Sequence, residues 1–418
     1  MSNNINDLNL KKEIFPLFDY CLNDISKYKL FDLLNFTLKN KEEIYARQII
    51  IKGFIKNESN LENYTYSKIY FHQVHNFLTQ ASYDELDISK LDLIIFSKVK
   101  QEIQSKIIQF TSLFEKILNS FLKKINKTDF PTSYVKDLDY MIDFISFFEI
   151  DYYKSLNNYK IKDIISLSKK IKSKKNEFQK FYDILLKSEA YFSISQGCIF
   201  NKFTFPSFID HDISIKDVYH PLLEKPVSND VFFDKNVILL TGPNMSGKST
   251  FLKSIFISIY LGHLGIAVPA KEANFPFFDY FSISINHQDD LKSGYSHFMN
   301  EIISLKKVLE KYHEGKRCFV IFDELFKGTN IEDAIAISSE TIKGLLTYNA
   351  SYFLISTHLH LLNNLNEIKE NKTGNFYIES RIENNKPIFT YKLKDGWSDL
   401  KIGQILFQNE GITSLLSK

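Results

Sequence analysis

Val237-Ile-Leu-Leu-Thr241, followed directly by Gly242-Pro-Asn-Met-Ser-Gly247-Lys248-Ser249-Thr250, decides how the rest of the chain is read. The apolar, β-rich run predicts a buried strand, and Phe251 to Leu261 beyond the loop predicts a helix. Between them stands G-x-x-x-x-G-K-S, in the strand–loop–helix setting that this pattern requires. Its glycines let consecutive backbone N–H groups turn inward around a phosphate, and the following helix adds its positive N-terminal end to the same anion. Lys248 is placed to reach the β- and γ-phosphates of a triphosphate, and Ser249 to ligate Mg²⁺. The reading is a phosphate-cradling loop for ATP with Mg²⁺. It is formed by Gly242, Pro243, Asn244, Met245, Ser246, Gly247, Lys248, Ser249 and Thr250.

Two later apolar runs end in polar residues. Arg317-Cys-Phe-Val-Ile-Phe322-Asp323-Glu324 reads as a strand buried on both faces of a parallel sheet, with its carboxylates at the edge where open α/β sheets bind ligands. Asp323 is expected to hold Mg²⁺ through water, and Glu324 to accept a proton from, or orient, the attacking water. Ser351-Tyr-Phe-Leu-Ile-Ser-Thr357-His358 repeats the design and offers His358 to the γ-phosphate or the lytic water. Between these runs lies Asp289-Asp290-Leu-Lys-Ser-Gly294-Tyr-Ser296-His-Phe-Met-Asn-Glu301, a small-residue turn opening onto the amphipathic segment Phe298 to Leu309. Ser296 stands near that helix start, where an anion is favoured; by local chemistry alone it reads equally as an N-cap.

The two halves are punctuated differently. Of 14 glycines and 9 prolines, only Gly53, Gly197, Pro16 and Pro131 fall before residue 201. The first half, 1–200, therefore reads as long helices and the second, 201–418, as alternating strands, turns and helices. The break is placed near Asn201, where Phe203 to Phe208 with Pro206 ends the helical pattern. Within Leu91 to Leu122, the spacing of Ile103, Ile107, Phe110, Phe114, Ile117 and Phe121 makes one apolar helical stripe, read as core. Lys160, Lys162, Lys169, Lys170, Lys172, Lys174 and Lys175, opposed only by Asp163, form either a solvated helix face or a contact for backbone phosphates.

Composition excludes little else. A formal charge of +2 rules out a strongly basic tail, though not a local basic groove. Cys21, Cys198 and Cys318 fit no zinc or redox spacing and read as reduced thiols. Neither a signal pattern nor an apolar run long enough for a membrane span is found, so a cytoplasmic protein is expected.

At these elements the chain resembles the MutS family of DNA mismatch repair ATPases, relatives of the ABC-type ATPases. The resemblance covers about residues 215–413. It rests on Tyr219-His220-Pro221, Thr241 to Thr250, Asp289 to Glu301, Asp323-Glu-Leu-Phe-Lys-Gly-Thr329 and Ser356-Thr357-His358. Weaker similarity at Lys29 to Phe54, with Arg47, and at Leu185 to Ile194 matches the ends of the family's helical core. The implied fold is an α/β P-loop NTPase domain of ABC type, preceded by an all-α, core-like domain. The resemblance further implies a homodimer with ATPase domains head to tail, in which Ser296 of one subunit faces the γ-phosphate of the other.

The departures carry their own expectations. The mismatch-reading domain, with its Phe-x-Glu wedge, and the connector domain have no counterpart; Phe147-Phe148-Glu149 matches the wedge by letters only and reads as core. The core region is short, implying a reduced DNA clamp. Val227 stands where repair members stack an aromatic ring on adenine, and Lys327 where many have Arg, which keeps charge but loses the planar fork. No C-terminal helix-turn-helix dimer element is expected, and Phe376 to Glu379 with Ile388 to Leu393 read as a closing hairpin around Asn384-Asn385. The function expected is a DNA-binding ATPase that does not read mismatches itself. An ATP-gated switch whose helical half grips a protein partner is the alternative; a small-molecule kinase fits worst, lacking a use for the Asp323-Glu324 pair.

Overall fold

The computed structural model describes residues 3–79, 96–156, 158–285, 297–326, 328–384, 386–400 and 402–416. The chain divides into two compact units, one of residues 15–36 and 45–200, the other of residues 1–14, 37–44 and 201–418. Residues 1–14 and 37–44 thus depart from the sequence reading, which put them in the helical half. Their backbone is used by the second unit. The Asn4 N–H donates to the Phe281 carbonyl at 3.0 Å, Ile283 returns a bond to Asn4 at 2.9 Å, and Leu38 donates to the His263 carbonyl at 3.1 Å. Short extended segments have no periodicity to reveal such pairing.

Before residue 201 the long elements are helices: α1 Asp24–Asn35, α2 Lys41–Lys56, α3 Lys68–Thr79, α4 Ser97–Lys116, α5 Thr132–Ser146, α6 Ile161–Ser173 and α7 Phe178–Phe200. The helix α4 continues into a five-residue π turn, Ile117–Phe121. All six stripe residues from Ile103 to Phe121 are buried, whereas residues 91–95 of that segment lie outside the described residues. Aromatic rings fill this core. Phe114 and Phe144 each stack on Phe181, at 5.3 and 4.8 Å, and Phe110 meets Phe148 edge-on at 5.2 Å. Such pairs contribute about 0.5–1.5 kcal/mol each beyond area burial. Only part of Phe147-Phe148-Glu149 is core, which corrects the sequence reading. Phe148 is fully buried, but Phe147 is 42% exposed with the Lys174 Nζ 4.9 Å from its ring centre. Glu149 adopts φ 53° and pairs with Lys170 at 2.7 Å. The cause is local: α5 has ended at Ser146, and the chain reverses here, turning Phe147 and Glu149 outward.

The second half is mixed α/β. Its strands are β1 Ser207–Phe208, β2 Ile213–Val218, β3 Asn229–Phe233, β4 Val237–Thr241, β5 Glu272–Phe275, β6 Tyr280–Ser284, β7 Cys318–Phe322, β8 Tyr352–Ser356, β9 Gly374–Glu383 and β10 Lys386–Asp395. One sheet has the order β1-β5-β2-β3, the other β10-β9-β4-β8-β7-β6. In the larger sheet every pairing is parallel except that of β10 with β9. Its strands β4, β7 and β8 are buried at every residue, as unbroken apolar runs between covered faces must be. The order β4-β8-β7 brings three strand ends to one edge. The hairpin is longer than expected, with a register shift between Phe389 and Leu393; Asn384 turns at φ 49° and Asn385 lies outside the described residues. Helices α8 Lys248–His263, α9 His297–His313 and α10 Ile331–Leu345 complete the parts that shape the site. Among the described residues, no helix is long and apolar enough to cross a membrane.

At the end of α8, His263 is fully buried. Its Nδ1 lies 2.8 Å from the Ile259 carbonyl and its Nε2 2.9 Å from the Phe278 N–H. A carbonyl can only accept and an amide can only donate, so Nδ1 carries the proton and Nε2 does not. Burial, assisted by the charge of Arg317, lowers its pKa to about 3. In the unfolded chain the imidazole titrates near 6.5. The unfolded state therefore binds the extra proton first, and stability present above pH 6.5 is lost as pH falls from about 6.5 toward 3, by up to about 1.4 kcal/mol per unit. Thermal melts between pH 7 and 4 should show this slope, and His263→Gln should flatten it. An unchanged slope would mean that other groups govern acid sensitivity.

Candidate functional site

The loop after β4 owes its path to backbone that side chains disfavour. Gly242 has φ 138° and Gly247 φ 96°. A Cβ at Gly242 would stand 3.1 Å from the Ser246 Oγ and 3.3 Å from the Ile378 carbonyl oxygen; one at Gly247 would stand 3.0 Å from the Tyr391 ring. Glycine accepts such φ values at no steric cost. Met245, 70% exposed, also has positive φ, at 68°. Beyond the loop, α8 is buried along nearly its whole length, which fixes its N-terminus against the sheet.

Lys248 is only 6% exposed. Its ammonium donates to the carbonyls of Gly242 (2.9 Å) and Pro243 (3.2 Å) and lies 3.1 Å from the His358 Nε2. That same nitrogen is 2.8 Å from the Glu324 Oε1. An ammonium needs a ring nitrogen without a proton, whereas a carboxylate needs one with it. That nitrogen can serve one neighbour at a time, so Lys248 and Glu324 compete for His358. The Ser246 Oγ is buried, with no hydrogen-bond partner among the described residues.

Asp323 follows β7 and is 5% exposed. Its two carboxylate oxygens accept from Ser249 Oγ, at the start of α8, and from Ser356 Oγ, at the end of β8. Ser356 also accepts the Glu324 N–H at 2.9 Å and is itself fully buried. Glu324 has φ 57° and Phe326 φ 62°. Non-glycine residues in that region cost about 1–3 kcal/mol each and persist where surrounding contacts impose them. For Glu324 the Ser356 hydroxyl and the His358 ring supply those contacts.

Two cavities flank this group. One, of about 190 Å³, is bounded by Glu324, Phe326, Ile331, Thr357 and His358. The other, of about 270 Å³, is lined by His220, Val227, Gly247, Thr250 and Tyr391. Val227 is 36% exposed there. Burial, reinforced by the Lys253 charge, holds the His220 imidazole down to about 4, so it is neutral near pH 7.

The loop residues Gly242 to Thr250, with Asp323, Glu324 and His358, are thus brought to one sheet edge, and Val227 to the adjoining cavity. Ser296 and Lys327 lie outside the described residues; α9 begins one position after Ser296, at His297. Sequence reasoning passed over Ser356 and Tyr391 as site residues. Ser356 had a faint signal, a hydroxyl closing an apolar strand, but its partners are fixed by the pairing of Phe322 with Ile355. Tyr391 had none, since only the β10 register brings it against Gly247.

Comparison with known proteins adds the following. Residues 238–411 match the family model described as MutS domain V. Over 200 residues, 46% of this chain, the sequence is 36% identical to the DNA mismatch repair protein MutS of Bacillus cereus (strain B4264), covering 22% of that protein. Over 207 residues, 47% of the chain, it is 33% identical to the DNA mismatch repair protein MutS of Geobacillus sp. (strain WCH70), covering 24% of it. The match therefore spans less than a quarter of the length of these relatives.

Proposed function

We propose that this chain, whose residues 238–411 match the family model of MutS domain V, binds and hydrolyses Mg²⁺-ATP as a P-loop ATPase of ABC type and couples the cycle to DNA without reading mismatches itself. The observation that carries the reading is the meeting of Lys248, Ser249, Asp323, Glu324 and His358 at the common edge of β4, β8 and β7. The donor set fits the ligands. Ser246 brings a buried hydroxyl unsatisfied among the described residues, and the Lys248 ammonium, resting on two loop carbonyls, can exchange them for phosphate oxygens. Ser249 and Asp323 offer the hard oxygens that Mg²⁺ prefers. Bound there, Mg²⁺ would neutralise charge on the β- and γ-phosphates.

Glu324 then acts as the base that accepts a proton from, or orients, the attacking water, and His358 hydrogen-bonds the γ-phosphate or that water. Both roles require the present Glu324–His358 bond to loosen, and the cavity beside them leaves room for it. The adenine is assigned to the cavity beside Gly247, with Val227 as an apolar contact and the Tyr391 ring as the aromatic surface that Val227 lacks. Ser296 completes the site of a second copy in a head-to-tail homodimer.

Phosphate release by the full chain tests this reading, with Mg²⁺-ATP in the presence and absence of duplex and branched DNA. Hydrolysis that requires Mg²⁺ and changes rate with DNA is expected. Absence of any nucleotide affinity with Mg²⁺ supplied would remove the ATPase reading; hydrolysis indifferent to every DNA, with no DNA bound, would transfer the helical half to a protein partner.

A further inference from the structure

The helix α6 carries a charge arrangement that its packing does not need. Its buried side is Ile164, Leu167 and Ile171, with Asp163 and Ser168. At about 100° per residue, the ridge opposite that side is Lys162, Ser166, Lys169 and Ser173, and all four are exposed. Lys160, Lys172 and Lys175 are exposed beside it and at its ends. The single carboxylate of the helix, Asp163, is 6% exposed and accepts the Lys160 N–H at 3.0 Å as a helix cap, so it does not offset the ridge. Lys170 pairs with Glu149 at 2.7 Å and Lys174 with Glu177 at 2.8 Å, and Lys172 and Lys175 are engaged as well. Both pairs stand beside the ridge, off its line. Ser173 donates its hydroxyl to the Lys170 carbonyl at 2.8 Å.

The whole chain has a formal charge of only +2. Exposed lysines concentrated on one rigid ridge are therefore a local asymmetry. From Lys162 to Ser173 the ridge runs about 16 Å, a length of duplex axis that carries about ten phosphates. Lysine and serine are among the groups that contact phosphate and sugar without reading sequence. The apolar side of α6 is committed to the helical core, so the helix has no second face to bury in lipid.

We propose that the Lys162–Ser166–Lys169–Ser173 ridge of α6 is the surface on which this protein holds the phosphate backbone of a nucleic-acid duplex. The surface deepens the DNA-coupled reading above and rests on it. It binds by charge, so it selects no sequence, and its affinity falls steeply with salt as counterions are released.

The test is a salt titration of the full chain binding a fluorescein-labelled DNA duplex, read by anisotropy. The double variant K162E/K169E should bind about tenfold or more weakly, with its log–log salt slope flatter by about 1.8, for two phosphate contacts at about 0.9 each. K162Q/K169Q should shift both readings the same way by less. Reversal of Lys369, Lys372 and Lys386, exposed on the other unit, should leave both unchanged, as should ATP hydrolysis measured without DNA in the ridge variant. Wild-type affinity and slope in K162E/K169E would overturn the ridge while leaving the DNA reading intact. No duplex binding by the wild-type chain would overturn both. Ridge-dependent binding to phosphatidylserine vesicles as tight as to duplex would overturn the nucleic-acid assignment.

Discussion

Glu324→Gln should leave ATP bound and reduce turnover by about 10²–10⁴-fold, the range that a positioned general base contributes. The substitution keeps the size of the side chain and removes its charge and basicity. Its neighbours remain: Asp323 stays clamped between Ser249 and Ser356, and the Glu324 N–H still donates to the Ser356 Oγ at 2.9 Å. The loss should therefore appear in kcat, with nucleotide affinity held close to wild type. Single-turnover hydrolysis alongside binding of a fluorescent ATP analogue separates the two. Turnover within about threefold of wild type would place the base elsewhere, whereas lost binding would mean that the left-handed backbone at Glu324 (φ 57°) needs the carboxylate to hold its shape.

Lys248→Ala should weaken ATP by about 10- to 100-fold and abolish measurable turnover. A hydrogen bond to a charged group contributes about 1.5–3 kcal/mol, and here the ammonium is nearly buried, 6% exposed, where water competes least. Truncation also strips the Gly242 and Pro243 carbonyls of their donor and frees the His358 Nε2 to serve Glu324 alone. Lys248→Arg should not rescue it, because a planar fork cannot replace a compact ammonium beneath a tight loop. An analogue-binding titration, paired with a thermal melt to verify folding, provides the measurement. Wild-type affinity in Lys248→Ala would show that the ammonium never leaves the loop carbonyls, and the triphosphate assignment would fail with it.

Much of the helical half and of the sheet was legible because the decisive residues are neighbours in the chain. The stripe from Ile103 to Phe121 is buried as its spacing requires. The runs at Val237, Cys318 and Tyr352 form wholly buried strands. Where local order ends, so did legibility. Phe147 has the composition of core but falls beyond the last turn of α5, and a letter pattern does not reveal on which side of a chain reversal a ring emerges.

The sequence by itself determined which residues are chemically equipped to meet a triphosphate: loop glycines, an amine, hydroxyls and carboxylates at the ends of apolar runs, each specified within about ten residues of chain. Tertiary structure alone decided their company. The order β4-β8-β7 sets Ser356 between Asp323 and the Glu324 amide, and the β9–β10 hairpin brings Tyr391 against Gly247. Backbone pairing across a sheet joins residues without regard to their separation in the chain, so periodicity and spacing carry no trace of it.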